Sequence, residues 1–285
     1  MVEPNINTDK HREFHFTAKD FARICKLIYD HAGISLNNTK EDMVYSRLAK
    51  RLRATGLHTF EAYLALLETD NVAEWEAFTN SLTTNLTSFY REAHHFPLLA
   101  EHIQKQKGKH PIALWCSASS TGEEAYSMAM SMIDLFGSYT PPVKIIATDL
   151  DTSVLAKAQA GIYTLDRIEK LPAATVKRFF VMGTGTQSGY AQVRQELRDM
   201  ITFRPLNLLE SSWPVRGPFD AIFCRNVMIY FDKQTQYAIL KKFVPLLQPD
   251  GLLFAGHSES FYHAADLFKL RSKTVYELSV PSKGL

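Results

Sequence analysis

"IALWCSASSTGEEAYSMAMSMIDLFG" at residues 112–137, followed by "VKIIATDLD" at 143–151, decides the fold. A short apolar run, 112–116, breaks into small polar residues at 117–122, and a helical pattern then continues to Gly137. A second apolar run, 143–147, leads directly to Asp149. Strand, small-residue turn, helix and strand make a crossover unit, the connection that parallel neighbours require. The alternation continues downstream. "ITFR" (201–204), "FDAIF" (219–223), "GLLFA" (251–255) and "TVYEL" (274–278) read as strands, and "KQTQYAILKKFVPLL" (233–247) reads as a helix between two of them. The spacing predicts an α/β fold, a largely parallel sheet with helices on both faces.

One stretch breaks the pattern. From about Thr164 to Leu197 a short helix leads into "RFFVMGTGTQSGYAQVRQEL", where "FFVM" and "YAQVRQEL" are strand-like runs around a Gly-rich turn. This reads as a small antiparallel insert. Upstream, residues 17–84 carry no strand signal. Phe21, Ile24, Cys25 and Ile28 recur at helical spacing up to Gly33, and Val44, Leu48 and Leu52 stripe a second helix that starts near Asn38 or Thr39 and stops at Gly56. Two more helices are expected at Phe60–Glu68 and Val72–Asn80. The expected organisation is a flexible lead (1–16), a helical N-terminal domain (17–84) and an α/β domain with its insert (85–285).

Bulk properties exclude several classes. Of 285 residues, 46% are hydrophobic and 22% charged, enough to build a real core. A net charge of +2 gives no overall basic field for nucleic acid. No apolar run is long enough to span a membrane, and the first residues lack the apolar segment of a signal peptide. Cys25, Cys116 and Cys224 have no metal or redox spacing and read as buried reduced thiols, which suits a cytoplasmic protein. The adjacent His94 and His95 read as structural, and no metal site is expected.

In an open α/β sheet, ligands bind beyond the carboxyl ends of the strands. The loop "SASSTGEEAYS" (117–127) is either a tight turn or a backbone cradle at a helix start. Asp149, at the end of the second strand, is either a ribose ligand or a helix N-cap, a task that Asp151 or Thr152 also fits. Arg225, Asn226 and Tyr230 cluster just past a buried strand. Arg47, Lys50 and Arg51, with Arg53 near the edge, form a basic stripe on the second helix. It is either a solvated face or a surface for an acidic partner.

Five blocks in order resemble the chemotaxis receptor methyltransferase (CheR) family over about residues 18–278: "TTNLTSFYREAHHF", "WCSASSTGEEAYS", "IIATDLDTSVLAKAQAGIY", "PFDAIFCRNVMIYFD" and "PDGLLFAGHSES". The resemblance implies a Rossmann-like S-adenosylmethionine-dependent methyltransferase domain, an all-helical N-terminal domain and an inserted β-subdomain. It implies cofactor contacts at Asn85, Thr87, Arg91, Glu124 (with Glu123 as the alternative), Asp149, Asn207, Leu208, Arg225 and Asn226. It sets Arg91 and Tyr230 nearest the transferred methyl, and turns Arg47, Lys50, Arg51 and Arg53 toward the methylation helices of a membrane chemoreceptor.

In many members the β-subdomain also takes the receptor's C-terminal peptide as an added strand, at a turn matching Gly183 and Gly185. Met182 stands where those members commonly have Arg, which removes a charge from that docking. The implied product is a glutamate methyl ester. A glutamate carboxylate, with an ordinary pKa of about 4.3, is already a nucleophile near neutral pH and needs no general base. The α/β half alone leaves an RNA or small-molecule methyltransferase open, and also a non-catalytic cofactor sensor. The helical domain and the insert favour a protein substrate, and Arg91 with Tyr230 favours catalysis.

Overall fold

The computed structural model describes residues 12–69, 71–83 and 85–279. The chain forms two compact units, Met1–Thr83 and Thr84–Leu285.

The first unit is helical: α1 (Ala18–Ala32), α2 (Glu41–Thr55), α3 (Phe60–Leu67) and α4 (Val72–Leu82). Thr17 and Asp20 build a capping box at the start of α1, and Gly33 and Gly56, both in the left-handed region, end α1 and α2. Ile24, Ile28, Val44, Leu48, Leu52, Tyr63, Leu64 and Phe78 are buried together at its centre. Residues 1–11 of the expected flexible lead lie outside the described residues. Over 12–16 the lead is anchored instead. Phe14 and Phe16 are buried, the Phe16 ring lies 4.5 Å from that of Phe60, and Arg12 pairs with Glu41 and Asp42. Two apolar rings among polar residues outweigh the local composition.

The second unit begins with α5 (His95–Gln106) and continues β1 (Ile112–Cys116), α6 (Glu123–Phe136), β2 (Val143–Asp149) and α7 (Thr152–Ala160). The insert follows: β3 (Ile162–Thr164), α8 (Leu165–Ile168), α9 (Ala173–Phe179), β4 (Phe180–Met182) and β5 (Tyr190–Val193). Then come α10 (Gln195–Asp199), β6 (Ile201–Pro205), β7 (Phe219–Phe223), α11 (Lys233–Phe243), β8 (Leu247–Phe254), β9 (Phe268–Ser272) and β10 (Val275–Leu278). The main sheet has the order β6-β2-β1-β7-β8-β10-β9. Its first five strands are parallel, and β10 and β9 close it antiparallel.

Strand alternation sorts the core into two layers. Leu114, Cys116, Ala221, Phe223, Leu252 and Phe254 pack with α5 and α6 on one face, while Trp115, Ile222, Cys224, Leu253 and Tyr276 pack with α11 on the other. Strand β9 escaped the sequence reading because only its first residue is buried, so it carries no apolar alternation. The insert is a separate sheet of three strands, β3-β5-β4. "YAQVRQEL" is strand only to Val193; its remainder starts α10, and β3 supplies the strand not foreseen. Cys116 and Cys224 are buried and free as expected, whereas Cys25 is only partly buried.

Candidate active site

Three segments meet beyond the carboxyl ends of β1, β7 and β8: residues 85–92, 225–230 and 256–262. Two carboxylates tie them together. Glu259, buried, accepts the backbone N–H groups of Asn226 (2.9 Å), Val227 (3.0 Å), Met228 (2.8 Å) and Gly256. It therefore holds the short turn Met228–Tyr230 in place. Burial raises its pKa, opposed by those N–H donors.

Glu92 Oε1 accepts from the His257 backbone N–H (3.1 Å), the Asn226 amide (3.3 Å) and lies 3.0 Å from His257 Nδ1, and Oε2 lies 3.4 Å from Arg225. Burial pushes against ionisation of Glu92. The His257 hydrogen bonds, the Arg225 charge and the Asn226 amide outweigh it and bring the pKa down to about 2. Sequence reasoning missed both residues, although both lie in quoted blocks. Local spacing gave no signal for either, since most of the groups they accept from lie in other segments.

The backbone carries strain at the same edge. Tyr90, Glu92, Ser120 and Asn226 have φ of 52°, 53°, 48° and 58°, a region that non-glycine residues enter at a cost. Two of them flank Arg91. Gly256 is obligatory beside Asn226, because a Cβ there would stand 2.4 Å from Asn226 Nδ2.

Arg225 is fully covered. It pairs with Glu124 at 2.9 Å and Glu92 at 3.4 Å, and donates to the Arg91 carbonyl. Glu124 is raised by burial and lowered by Arg225, and it also receives the Cys116 thiol at 3.2 Å. Glu123 differs. It is committed to Arg167 and the Thr121 hydroxyl, and so belongs to the packing of the insert. Of the two neighbours, Glu124 is the one joined to the Arg225–Glu92 network.

Of the two acids, Asp151 takes the capping task left open by the sequence. Asp151 caps α7, accepting from Ser153 and Val154 N–H. Asp149 accepts from Ser120 N–H (2.8 Å) and Asp151 N–H (3.0 Å) instead. Burial pushes its carboxyl up to about 6 against those donors. Asn85 is tied to this corner through Asp151 (2.8 Å), and its carbonyl takes the Ser120 hydroxyl (3.1 Å). The Thr87 carbonyl takes Arg167 (3.1 Å), and the Arg91 guanidinium bonds the Leu86 carbonyl (2.7 Å). Asn207 and Leu208 follow β6, next to the Leu206 N–H that bonds the Asp149 carbonyl (2.9 Å). Tyr230 is half-buried, and no described residue hydrogen-bonds its hydroxyl. His95 is fully buried, 2.9 Å from Thr274 Oγ1, with its pKa lowered to about 4 chiefly by burial, so it is structural. Its ring contacts that of His94 (4.2 Å) at the start of α5.

The basic stripe lies elsewhere, on α2, and is not a row of free charges. Arg47 donates to the Ser81, Leu82 and Thr83 carbonyls at the end of α4. Arg51 makes a two-pronged pair with buried Glu74 (3.0 and 2.7 Å). Arg53 pairs with Glu13 on the surface, and Lys50 is exposed. Of the stripe, Arg47 and Arg51 are therefore engaged with α4, whereas Lys50 and Arg53 remain at the surface. In the insert, a Cβ at Gly183 would sit 2.1 Å from the Gln187 carbonyl oxygen, and Gly185 has φ +58°, so both glycines are set by the turn.

No described helix is long and apolar enough to cross a membrane, and no described cluster of His, Cys, Asp or Glu is arranged to hold a metal. The family model for the CheR methyltransferase SAM binding domain matches residues 85–277, and that for the CheR methyltransferase all-alpha domain matches 19–83. A chemotaxis protein methyltransferase of Salmonella typhimurium is 55% identical over 260 residues, covering 91% of this chain and 90% of that protein. Chemotaxis protein methyltransferase 2 of Pseudomonas aeruginosa is 50% identical over 266 residues, covering 93% and 95%. By domain content and by identity along nearly its whole length, the chain belongs to the CheR methyltransferase family.

Proposed function

We propose that this chain transfers the methyl of S-adenosylmethionine to glutamate side chains on the methylation helices of membrane chemoreceptors. The products are glutamate methyl esters and S-adenosylhomocysteine, and the process is adaptation in bacterial chemotaxis. The protein acts in the cytoplasm, without nucleic acid, metal or membrane insertion. The observation that carries the reading is the match of the CheR SAM binding domain over residues 85–277, with its polar residues gathered at the carboxyl edge of the sheet. There Asp149, at the end of β2, offers oxygens to a vicinal diol, and the Glu92–Arg225–Glu124 network lines the same edge. The other contacts on this reading are Asn85, Thr87, Arg91, Asn207, Leu208, Arg225 and Asn226.

Bound, the cofactor supplies an electrophilic methyl. The protein's task is then alignment of a carboxylate that is already an anion. The hydroxyl of Tyr230, which no described residue hydrogen-bonds, orients the attacking oxygen, while Arg91, anchored on Leu86, shapes the field without gripping the carboxylate. A tight ion pair there would stabilise the ground state and slow transfer. Tyr230→Phe lowers turnover and leaves S-adenosylhomocysteine affinity unchanged; unaltered turnover would remove this role.

On the helical unit, exposed Lys50 and surface Arg53 are the stripe residues that meet the acidic receptor. On the insert, the β4 edge takes the receptor's C-terminal peptide as an added strand. Met182, about half exposed, offers it apolar contact and no charge, so this docking is weaker than in members with Arg there. The test is labelled cofactor with chemoreceptor-bearing membranes, followed by mild base. Release of labelled methanol supports a carboxyl ester. Base-stable label, or none, defeats the reading.

A further inference from the structure

We propose that Leu86, Ile229 and Tyr262 form an apolar collar at the carboxyl edge that seats the nonpolar flank of the substrate helix beside its target glutamate. This rests on the methyl-transfer reading above. The three side chains are 74%, 50% and 82% exposed. A single exposed apolar residue is ordinary on any surface. These three come from three separate segments, and the same two carboxylates stitch those segments together. Glu259 joins the turn bearing Ile229 to the loop that leads into Tyr262, and Glu92 joins both to the segment bearing Leu86.

Each also adjoins a residue of the site. Ile229 precedes Tyr230, Leu86 lends its carbonyl to Arg91, and Tyr262 stands three residues after Glu259. A glutamate on a macromolecular helix reaches this edge only if the residues around it cover the mouth. The collar is therefore continuous with a surface that catalysis itself must bury. Its chemistry fits a helix whose acidic residue enters the site while apolar neighbours one turn away rest on the rim. The charges of Lys50 and Arg53 supply long-range attraction, and the collar supplies short-range fit.

Exposure makes the test clean, because these side chains contribute little to folding. Ile229→Ser and Tyr262→Ser are compared with wild type and with Leu270→Ser, a 52%-exposed residue on β9. Methyl incorporation into chemoreceptor-bearing membranes gives KM and kcat, and calorimetry gives S-adenosylhomocysteine affinity. Each collar variant raises KM for receptor about fivefold to tenfold, in the range of a moderate interface contact, with kcat, cofactor affinity and Tm unchanged. Leu270→Ser changes none of them. Unchanged KM in both collar variants, or an equal rise in Leu270→Ser, overturns the collar. Wild type that forms no base-labile label overturns the methyl-transfer reading itself, and the collar with it.

Discussion

The carboxyl edge of the sheet and the α2 helix both hold arginines against glutamates, yet the two regions use the pairing differently. Arg225 is sealed between Glu124 and Glu92 and also holds the Arg91 carbonyl. Arg53 and Glu13 lie open to water, and Arg51 with Glu74 is intermediate, one partner buried and the other partly exposed. Burial decides which of these charges belongs to the architecture and which is left for a partner. A sealed pair cannot be opened without stranding a charge, whereas a surface pair trades partners at little cost.

The largest effect is therefore expected at Arg225. Arg225→Ala leaves Glu124 and Glu92 without their shared cation, and loss of about 3–5 kcal/mol in urea unfolding is expected for an uncompensated buried charge. With the Arg225 charge gone, the Glu92 pKa rises above about 2. Retained stability with intact S-adenosylhomocysteine binding would mean that the carboxyl edge is no more cohesive than the helix.

Next comes Asp149, whose carboxyl is raised to about 6. Its folded pKa lies above its ordinary value of 3.8, so its contribution to stability is full below that value and is lost as pH rises to about 6. Ligand binding runs the other way, since a diol needs the ionised acceptor. S-adenosylhomocysteine affinity is expected to be level above about pH 6 and to fall below it. Asp149→Asn should weaken binding by about tenfold to a hundredfold, the scale of charge-assisted hydrogen bonds. It should also flatten the pH dependence of both affinity and apo stability. Calorimetry across about pH 5–8 and melts across about pH 4–8 check this, and an unchanged pH profile would assign the titration elsewhere.

How much of this was legible in the sequence follows from what periodicity can encode. The strands of the parallel sheet were readable because β7, buried throughout, is apolar but for Asp220, and because the small residues after β1 and Asp149 at the end of β2 mark the edge where ligands bind. Strand β9 was not, since an edge strand buries one residue and leaves the rest to solvent. Phe14 and Phe16 were lost because the residues around them are polar. At the site, Asp149, Arg225, Asn226 and Tyr230 stood out as polar groups at strand ends. Glu92 and Glu259 did not, because accepting backbone N–H groups from distant segments leaves no trace in local spacing. The basic stripe of α2 was legible as charge but not as commitment: that Arg51 is spent on Glu74 depends on where α4 packs.

The helix supplies the smaller effects and the finest discrimination. Arg51→Ala strands Glu74, which among the described residues keeps only the Tyr63 hydroxyl as a side-chain donor. A cost of about 1–2 kcal/mol is expected, less than a sealed pair because solvent still reaches the guanidinium. Reversal at Arg51 would therefore confuse folding with recognition. Arg53 avoids that confusion. Its pair with Glu13 is exposed on both sides, so Arg53→Ala should leave the melt unchanged. If Arg53 exchanges Glu13 for an acidic receptor, removing it should raise KM for receptor about twofold to threefold at low salt, as expected of a rim charge, and the difference should vanish near 1 M salt. A KM rise that persists at high salt would mean that Arg53 contributes packing rather than charge. A melt lowered as far as that of Arg51→Ala would erase the distinction between surface and sealed pairs on this helix.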